Sequence, residues 1–329
     1  MKYDDTPTVD LDEEPLYGSI LVKTLALSID PYMRIQMRDS NIKTYVPPFI
    51  VGEPMAGHGI GVVVRSEHPD FAAGDRVTSG LFPHQEYFVD DLKREYFPTK
   101  KVPSDSAIAP SLYLGILGIT GATAYTSWKE YARPRKGQTA FVTSAAGGVG
   151  SVIVQLAKMD GMKVIASSGS DEKAEFVKEL GADISFNYRT TSTEEILQRE
   201  GPIDLYYDNV GEETLDLALK YASTHANFIM SGMISSYNKP DKSYAFKART
   251  IANMFEIIAK EIRLQGFLFT SLIGRWEMQF FEEIPALIKH GKLKTLEDRS
   301  YGLQNIGDAL LAVNMGENFG KKVVIVTEE

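Results

Sequence analysis

The amino-acid sequence predicts an α/β protein in two parts, a doubly wound parallel sheet and a second, all-β unit of barrel-like strands. Three observations lead there. Strand-like and helix-length segments alternate from about residue 109 onward, and a glycine-rich turn joins one of those strands to a helix. Residues 18–115, by contrast, hold only short β-like runs separated by Gly, Pro and Asp. Alternating βα units build parallel sheets covered by helices, whereas short strands with frequent turn signals build sandwiches and barrels. At 329 residues the chain has room for two domains. The boundaries are placed at 1–115 with 292–329 for the β unit and at 116–291 for the parallel sheet.

The β unit opens with runs at 19–27, 59–64, 76–79 and 86–89, punctuated by Gly52-Glu53-Pro54 and Ala73-Gly74-Asp75. The parallel part reads as strand 139–145, helix 148–160, strand 163–167 and helix 171–180. Strand 184–188, helix 192–200, strand 204–210, helix 214–221 and strand 226–232 follow. A helix at 247–261, a strand at 263–269 and a helix at 276–289 complete it. The tail, 293–326, holds short strands around a helix at 305–314 and is expected to return to the β unit.

Composition removes whole classes of function. Lys and Arg number 35 against 44 Asp and Glu, a net charge of −9, which excludes a general nucleic-acid or acidic-membrane binder but leaves room for one basic pocket. With no cysteine there is no disulfide, thiolate nucleophile, Cys-based zinc site or iron–sulfur cluster. The five histidines show no helical metal-ligand spacing, and His84-Gln85-Glu86 reads as a polar loop. No metal is expected. Residues 1–14 are acidic and interrupted by prolines, unlike a targeting peptide. No apolar run approaches the roughly 18 residues of a membrane span. A cytoplasmic protein is the expectation. Phe49, Phe82, Tyr87 and Trp276 read as core aromatics.

The sharpest local signal is Ser144-Ala145-Ala146-Gly147-Gly148-Val149-Gly150, between a strand and a helix. Its A-x-G-x-x-G spacing is that of a dinucleotide fingerprint with alanine for the first glycine. Small residues let the backbone approach a pyrophosphate, and the helix N-terminus offers unpaired N–H groups with partial positive charge. An NAD site needs Asp or Glu at the end of the second strand for the ribose 2′-hydroxyl. Here that strand ends in Ser167-Ser168-Gly169-Ser170, and Asp171 reads as the capped first turn of the next helix. Lys173 and Tyr188-Arg189 stand where they can meet a 2′-phosphate. The expected cofactor is therefore NADPH/NADP+.

Eight strings then occur in order: LSIDPYMR (27–34), GITGATAY (118–125), AAGGVGS (145–151), SGSDEK (168–173), FNYR (186–189), YDNVG (207–211), SGMISSYN (231–238) and NFGKKV (318–323). Together they resemble the zinc-independent medium-chain dehydrogenase/reductases, in the branch of NADPH-dependent alkenal double-bond reductases and prostaglandin (leukotriene) reductases. The resemblance runs from about Gly18 to Val326. It implies a GroES-like barrel, a Rossmann domain, a C-terminal segment returning to the barrel, and an active site in the cleft.

Carried over residue by residue, Gly147, Gly148, Val149 and Gly150 would face the pyrophosphate, and Lys173 and Tyr188 the 2′-phosphate. Asn209, then Ser231, Gly232, Ile234, Ser235 and Tyr237 of the 231–237 loop, with Phe267, Leu268, Phe269 and Asn318, would line the nicotinamide half. The implied reaction is hydride transfer to the β-carbon of an α,β-unsaturated aldehyde or ketone, a small apolar substrate. The resemblance also implies a homodimer paired through its Rossmann sheets. Two departures stand out. Relatives carry a longer segment, with a first barrel strand, ahead of Gly18, so an altered barrel edge is expected. Gly57-His58-Gly59 lacks the acid found beside that histidine in zinc-dependent cousins.

Hydride attack on an enone sends negative charge to the carbonyl oxygen, so the site needs a hydrogen-bond donor there. Tyr237 is the leading donor, because a phenol with an ordinary pKa near 10 is protonated at neutral pH. Tyr32 is the second candidate. An NADPH:quinone reductase and a non-catalytic NADPH-binding protein share the fold and the glycine turn, and stay open as alternatives.

Overall fold

The structure is a computed structural model that describes residues 1–94, 97–103, 108–239 and 249–328. The chain divides into two compact units, Met1–Gly118 with Glu297–Glu329, and Ile119–Leu296. In chain order the first unit contributes β1 (Ile20–Ser28), α1 (Met33–Gln36), β2 (Ala56–Ser66), β3 (Arg76–Pro83), β4 (Tyr87–Asp90) and β5 (Lys100–Lys101). The second contributes α2 (Ile119–Ser127), β6 (Thr139–Val142), α3 (Gly150–Met159), β7 (Lys163–Ser168), α4 (Asp171–Glu179), β8 (Ile184–Asn187) and α5 (Thr193–Glu200). It continues with β9 (Ile203–Asp208), α6 (Glu212–Lys220), β10 (Ala222–Met230), α7 (Phe255–Ala259), β11 (Arg263–Gly266) and α8 (Phe269–Lys289). The chain then returns to the first unit with β12 (Glu297–Tyr301), α9 (Ile306–Met315) and β13 (Lys321–Ile325).

The first unit is one mostly antiparallel seven-stranded sheet in the order β12-β13-β1-β2-β3-β5, with β4 also on β1. β1 is its centre. β2 pairs along one edge, from Ile20↔Ser66 to Leu27↔Gly59, while β4 (Ile20–Lys23 of β1) and β13 (Ala26–Ser28) share the other. Being flanked on both sides, β1 has eight of its nine residues buried, an apolar run rather than an alternation. Ile20, Val22, Met33, Phe82 and Phe88 form the core together with Leu310 of α9. Among the described residues the hydrogen-bonded path stays open, ending at β12 and at the two-residue β5.

The second unit is a six-stranded parallel sheet, β11-β10-β9-β6-β7-β8. Successive strands run outward from β6 to β8, then jump back to β9 and run the other way. The strand order therefore reverses between β6 and β9, which is where open α/β sheets bind ligands, at the carboxyl ends of the strands. The departures from the sequence reading concern element ends; β10, for one, begins at Ala222 rather than at 226. The strand at 139–145 stops at Val142, because Ser144 turns left-handed (φ +49°). The helix at 247–261 is realised only as α7, since 252–254 form a turn tied by Asn253 to Asp216 (N–H to Oδ1, 2.7 Å); residues 247 and 248 lie outside the described residues. The strand at 263–269 ends at Gly266. Phe269 is instead the first residue of α8, with Leu268 as its N-cap, so that helix has 21 residues and begins well before Trp276.

Candidate active site

Two sets of elements meet at the switch point. After β6, Ala145 N–H pairs with Ser167 O (3.0 Å) and Gly147 N–H with Ser144 O (3.0 Å), a tight turn that delivers the chain into α3. At Gly150 a Cβ would lie 2.3 Å from Ser144 O and 2.8 Å from Ala145 Cα, so only glycine lets the helix start so close to the strand. Gly148 (3.0 Å to the Thr120 side chain) and Gly147 (3.2 Å to Ser144 O) are looser. Among the described residues the amides of Gly148, Val149 and Gly150 donate to no protein acceptor. Three unpaired N–H groups on a helix N-terminus beside a small-residue turn suit an anionic pyrophosphate.

After β9, Asp208 is fully buried and organises the second half. Its Oδ1 accepts from Tyr206 Oη (2.8 Å) and from the amides of Val210 (2.9 Å) and Gly211 (2.8 Å), while Oδ2 is buried without a partner. Burial pushes its pKa up to about 6 against those hydrogen bonds. Asn209 ties the two halves together: its amide donates to Thr143 Oγ1 (2.9 Å) and its Nδ2 to Thr143 O (2.7 Å). The 231–237 loop then lies along this turn. Ser231 and Gly232 both donate to Asp208 O (2.8 and 3.0 Å), Ile234 to Asn209 O (3.2 Å), and the Ser235 hydroxyl to Val210 O (2.6 Å). Buried Glu212 at the start of α6 holds the loop from behind through Ser236 Oγ (2.8 Å) and Lys239 Nζ. Tyr237 folds back so that its hydroxyl accepts from Met233 N–H (3.3 Å), and burial holds its pKa above the usual phenol range.

The corner beyond β7 supports the reading of the cofactor's ribose. Ser170 caps α4, accepting from Lys173 N–H (3.2 Å), and Asp171 Oδ1 accepts from Asn187 Nδ2 (2.9 Å). The Asp171 carboxylate is thus engaged by the Asn187 side chain. Gly169 instead faces Tyr188 and Arg189: a Cβ there would lie 3.3 Å from the Tyr188 hydroxyl and 3.7 Å from Arg189 Nε. Arg189 also stacks over the Tyr188 ring (6.0 Å), which is half exposed. Arg189 is the functional candidate that the sequence reading noted only in passing. Of the remaining candidates, Phe267 meets Tyr131 (ring centroids 6.1 Å), Leu268 is exposed, and Phe269 sits in α8.

In the first unit Asn318 precedes β13 and its Nδ2 donates to Gly320 O (2.9 Å). Nearby, the Asp30-Pro31-Tyr32-Met33 segment is locked by a buried ion pair, Lys321 Nζ to Asp30 Oδ1 at 2.7 Å, with Lys321 also donating to Ile29 O (2.8 Å) and Ser28 donating to Asp30. The pair joins residues 291 positions apart, which sequence spacing could not signal. It fixes the segment that carries Tyr32, and burial, seconded by Asp30, drives the Tyr32 phenol far above its usual pKa. Among the described residues no three His, Asp or Glu side chains gather as metal ligands, and no helix is long and apolar enough to cross a membrane.

Comparison with known proteins identifies the family. The family "Zinc-binding dehydrogenase" matches residues 148–288, and "N-terminal domain of oxidoreductase" matches residues 7–95. The chain is 36% identical to the NADP-dependent oxidoreductase RED1 of Cochliobolus heterostrophus, over 97% of this chain and 91% of that protein. It is 37% identical to a 2-alkenal reductase (NADP(+)-dependent) of Nicotiana tabacum, over 95% and 88%. The crystal structure of CurA from Vibrio vulnificus in complex with NADPH superimposes with a TM-score of 0.87 at 30% identity, covering 100% of this chain and 94% of that one. Despite the zinc in one family title, the chain has none of the cysteines of a zinc site. It belongs to the medium-chain dehydrogenase/reductases, in their zinc-independent branch of NADPH-dependent alkenal double-bond reductases.

Proposed function

We propose that the protein reduces the carbon–carbon double bond of α,β-unsaturated aldehydes and ketones, with NADPH as reductant. One observation carries the reading: the turn with three unpaired amides stands at the switch point of the parallel sheet, and the ribose corner presents Tyr188 and Arg189 where an NAD site would present an acid. Bound NADPH supplies the hydride, delivered to the β-carbon of the substrate.

The chain's own residues do the rest. The amides of Gly148, Val149 and Gly150 bind the pyrophosphate, with Gly147 keeping that face open, and Lys173, Tyr188 and Arg189 hold the 2′-phosphate by charge and hydrogen bonds. Asn209 fixes the spacing of the β6 and β9 ends. Ser231, Gly232, Ile234 and Ser235, pinned on the Asp208 turn, present a fixed edge to the nicotinamide, and Phe267, Leu268, Phe269 and Asn318 contribute to the same half of the cofactor. Tyr237 keeps its proton because it is buried, and donates to the oxygen on which enolate charge develops. Tyr32, also held protonated, lines the substrate side of the first unit. A small, largely apolar conjugated carbonyl compound suits a site whose polar groups are these few hydroxyls. We also place a homodimer contact on the β11 edge, where Phe255, Ile258 and Leu264 are exposed apolar side chains.

The test is the product of trans-2-octenal incubated with the protein and NADPH. Octanal is the expected product, with NADH giving little. Oct-2-en-1-ol, or a preference for NADH, would overturn the reading.

A further inference from the structure

Glu212 combines two features that are each unfavourable by themselves. It is the first residue of α6, yet its φ is +49°, in the left-handed region that residues other than glycine seldom occupy. Its carboxylate is also buried, with only 7% of the side chain exposed. Burial works against its charge, but bonds from Lys239, Ser236 and the Arg249 amide outweigh it. They hold the carboxyl below its usual pKa, so it is ionised at neutral pH. A side chain keeps such a backbone only where its surroundings over-determine it, and such positions cluster at functional sites.

The three donors show what the strain secures. Glu212 Oε1 accepts from Ser236 Oγ (2.8 Å) and from the Arg249 amide (3.2 Å), and Oε2 accepts from Lys239 Nζ. Ser236 and Lys239 bracket Tyr237. The start of the same loop has other supports. Ser231 and Gly232 hang from Asp208 O, and Ile234 and Ser235 from the carbonyls of Asn209 and Val210. The loop is thus laid along the 208–212 turn in order: its first residues rest on the backbone of that turn, and the stretch around Tyr237 rests on the side chain of Glu212. Ser236 is fully buried, whereas Lys239 is half exposed.

We infer that Glu212 is a positioning residue for the reduction: through Ser236 and Lys239 it latches the end of the 231–239 segment and sets where the Tyr237 hydroxyl meets the substrate oxygen. The inference rests on the reading of Tyr237 as the donor to that oxygen. The bonds at Ser231 to Ser235 do not involve Glu212, so cofactor binding is largely independent of the latch. Transition-state stabilisation is not, because it depends on where the donor stands.

The test is a double-mutant cycle on the full-length protein: wild type, Glu212→Gly, Tyr237→Phe and the double variant, with Glu212→Gln and Lys239→Met alongside. Glycine removes the carboxylate and suits the left-handed backbone. Lys239→Met breaks the latch at a half-exposed side chain, and carries the test if Glu212→Gly does not fold. The readouts are kcat and KM for trans-2-octenal, Kd for NADPH by fluorescence titration, Tm, and hydrogen exchange of residues 231–239 with NADP+ bound. Glu212→Gly should lower kcat about 10- to 100-fold while Kd for NADPH moves by less than about threefold, and loop exchange should quicken about tenfold. Lys239→Met should act in the same direction, and Glu212→Gln should recover part of the loss. In the Tyr237→Phe background Glu212→Gly should cost almost nothing further, because the donor it positions is gone. Full additivity, a loss of NADPH affinity as large as the loss of kcat, or a lower Tm with kcat and loop exchange unchanged would each overturn the inference and leave Glu212 an anchor of α6 alone. If the wild type reduces no enal the reductase reading fails, and if Tyr237→Phe keeps its full kcat the donor role fails. In either case loop exchange decides the latch: quickened exchange in Glu212→Gly upholds it and unchanged exchange overturns it.

Discussion

Asp208 has no exposed surface, yet it sits at the turn on which Asn209 and the 231–237 loop are built. An unfolded aspartate loses its proton near pH 4, whereas this one does so at about 6. The folded state thus holds that proton more tightly, so between those values the contribution of Asp208 to stability falls as pH rises. Replacing it by asparagine, which keeps an acceptor oxygen but cannot ionise, should therefore cost less at pH 7.5 than at pH 4.5, by about 2 kcal/mol. Urea unfolding of both proteins at the two pH values measures this, and equal costs would show that the carboxylate is not strained by burial. The ribose corner gives a second prediction. Lys173→Ala combined with Arg189→Ala should raise KM for NADPH roughly 10- to 100-fold, as for lost charge-assisted hydrogen bonds. KM for NADH, which has no 2′-phosphate, should barely move. Parallel steady-state kinetics with the two cofactors decide it, and an equal change for both would remove these residues from the 2′-phosphate.

At the scale of elements, the β6–α3 turn separates two uses of glycine. Gly150 is required by packing, because its Cβ would collide with backbone, whereas Gly147 has room for a methyl group with slight adjustment. Gly150→Ala should cost about 1–3 kcal/mol of stability, as overpacking does, and weaken NADPH binding with it. Gly147→Ala should leave the fold nearly intact and act mainly on binding. Denaturation and NADPH fluorescence titration separate the two, and a stable Gly150→Ala would contradict the geometry. This turn was legible in the sequence because its constraints are local: small residues at fixed spacing between a buried strand and a helix. The alternation of strands and helices in the parallel sheet was legible for the same reason. The helix end at Phe269 was not, since an apolar Phe267-Leu268-Phe269 suits a strand as well as the start of a helix. Nor were Asp208, Glu212 and the Lys321–Asp30 pair, whose roles come from burial and from partners distant in sequence. His84 looked polar and exposed because its neighbours Gln85 and Glu86 are, while strand pairing turns its ring inward.

For the whole molecule, the parallel sheet leaves β11 and β8 as edges, and among the described residues Phe255 and Ile258 of α7 and Leu264 of β11 are exposed apolar side chains. Unpaired edge backbone beside apolar side chains favours pairing with a second copy. Light scattering of the purified protein should give about twice 36.5 kDa, and Leu264→Lys should shift it toward the monomer. A wild-type monomer would contradict the contact. The reaction itself is the central claim, and isotope placement tests it most directly. With NADPH deuterated at the transferable C4 position and trans-2-octenal as substrate, the product should be octanal with one deuterium at its β-carbon. Deuterium on the carbonyl carbon, or consumption of the cofactor only with quinones, would contradict the account.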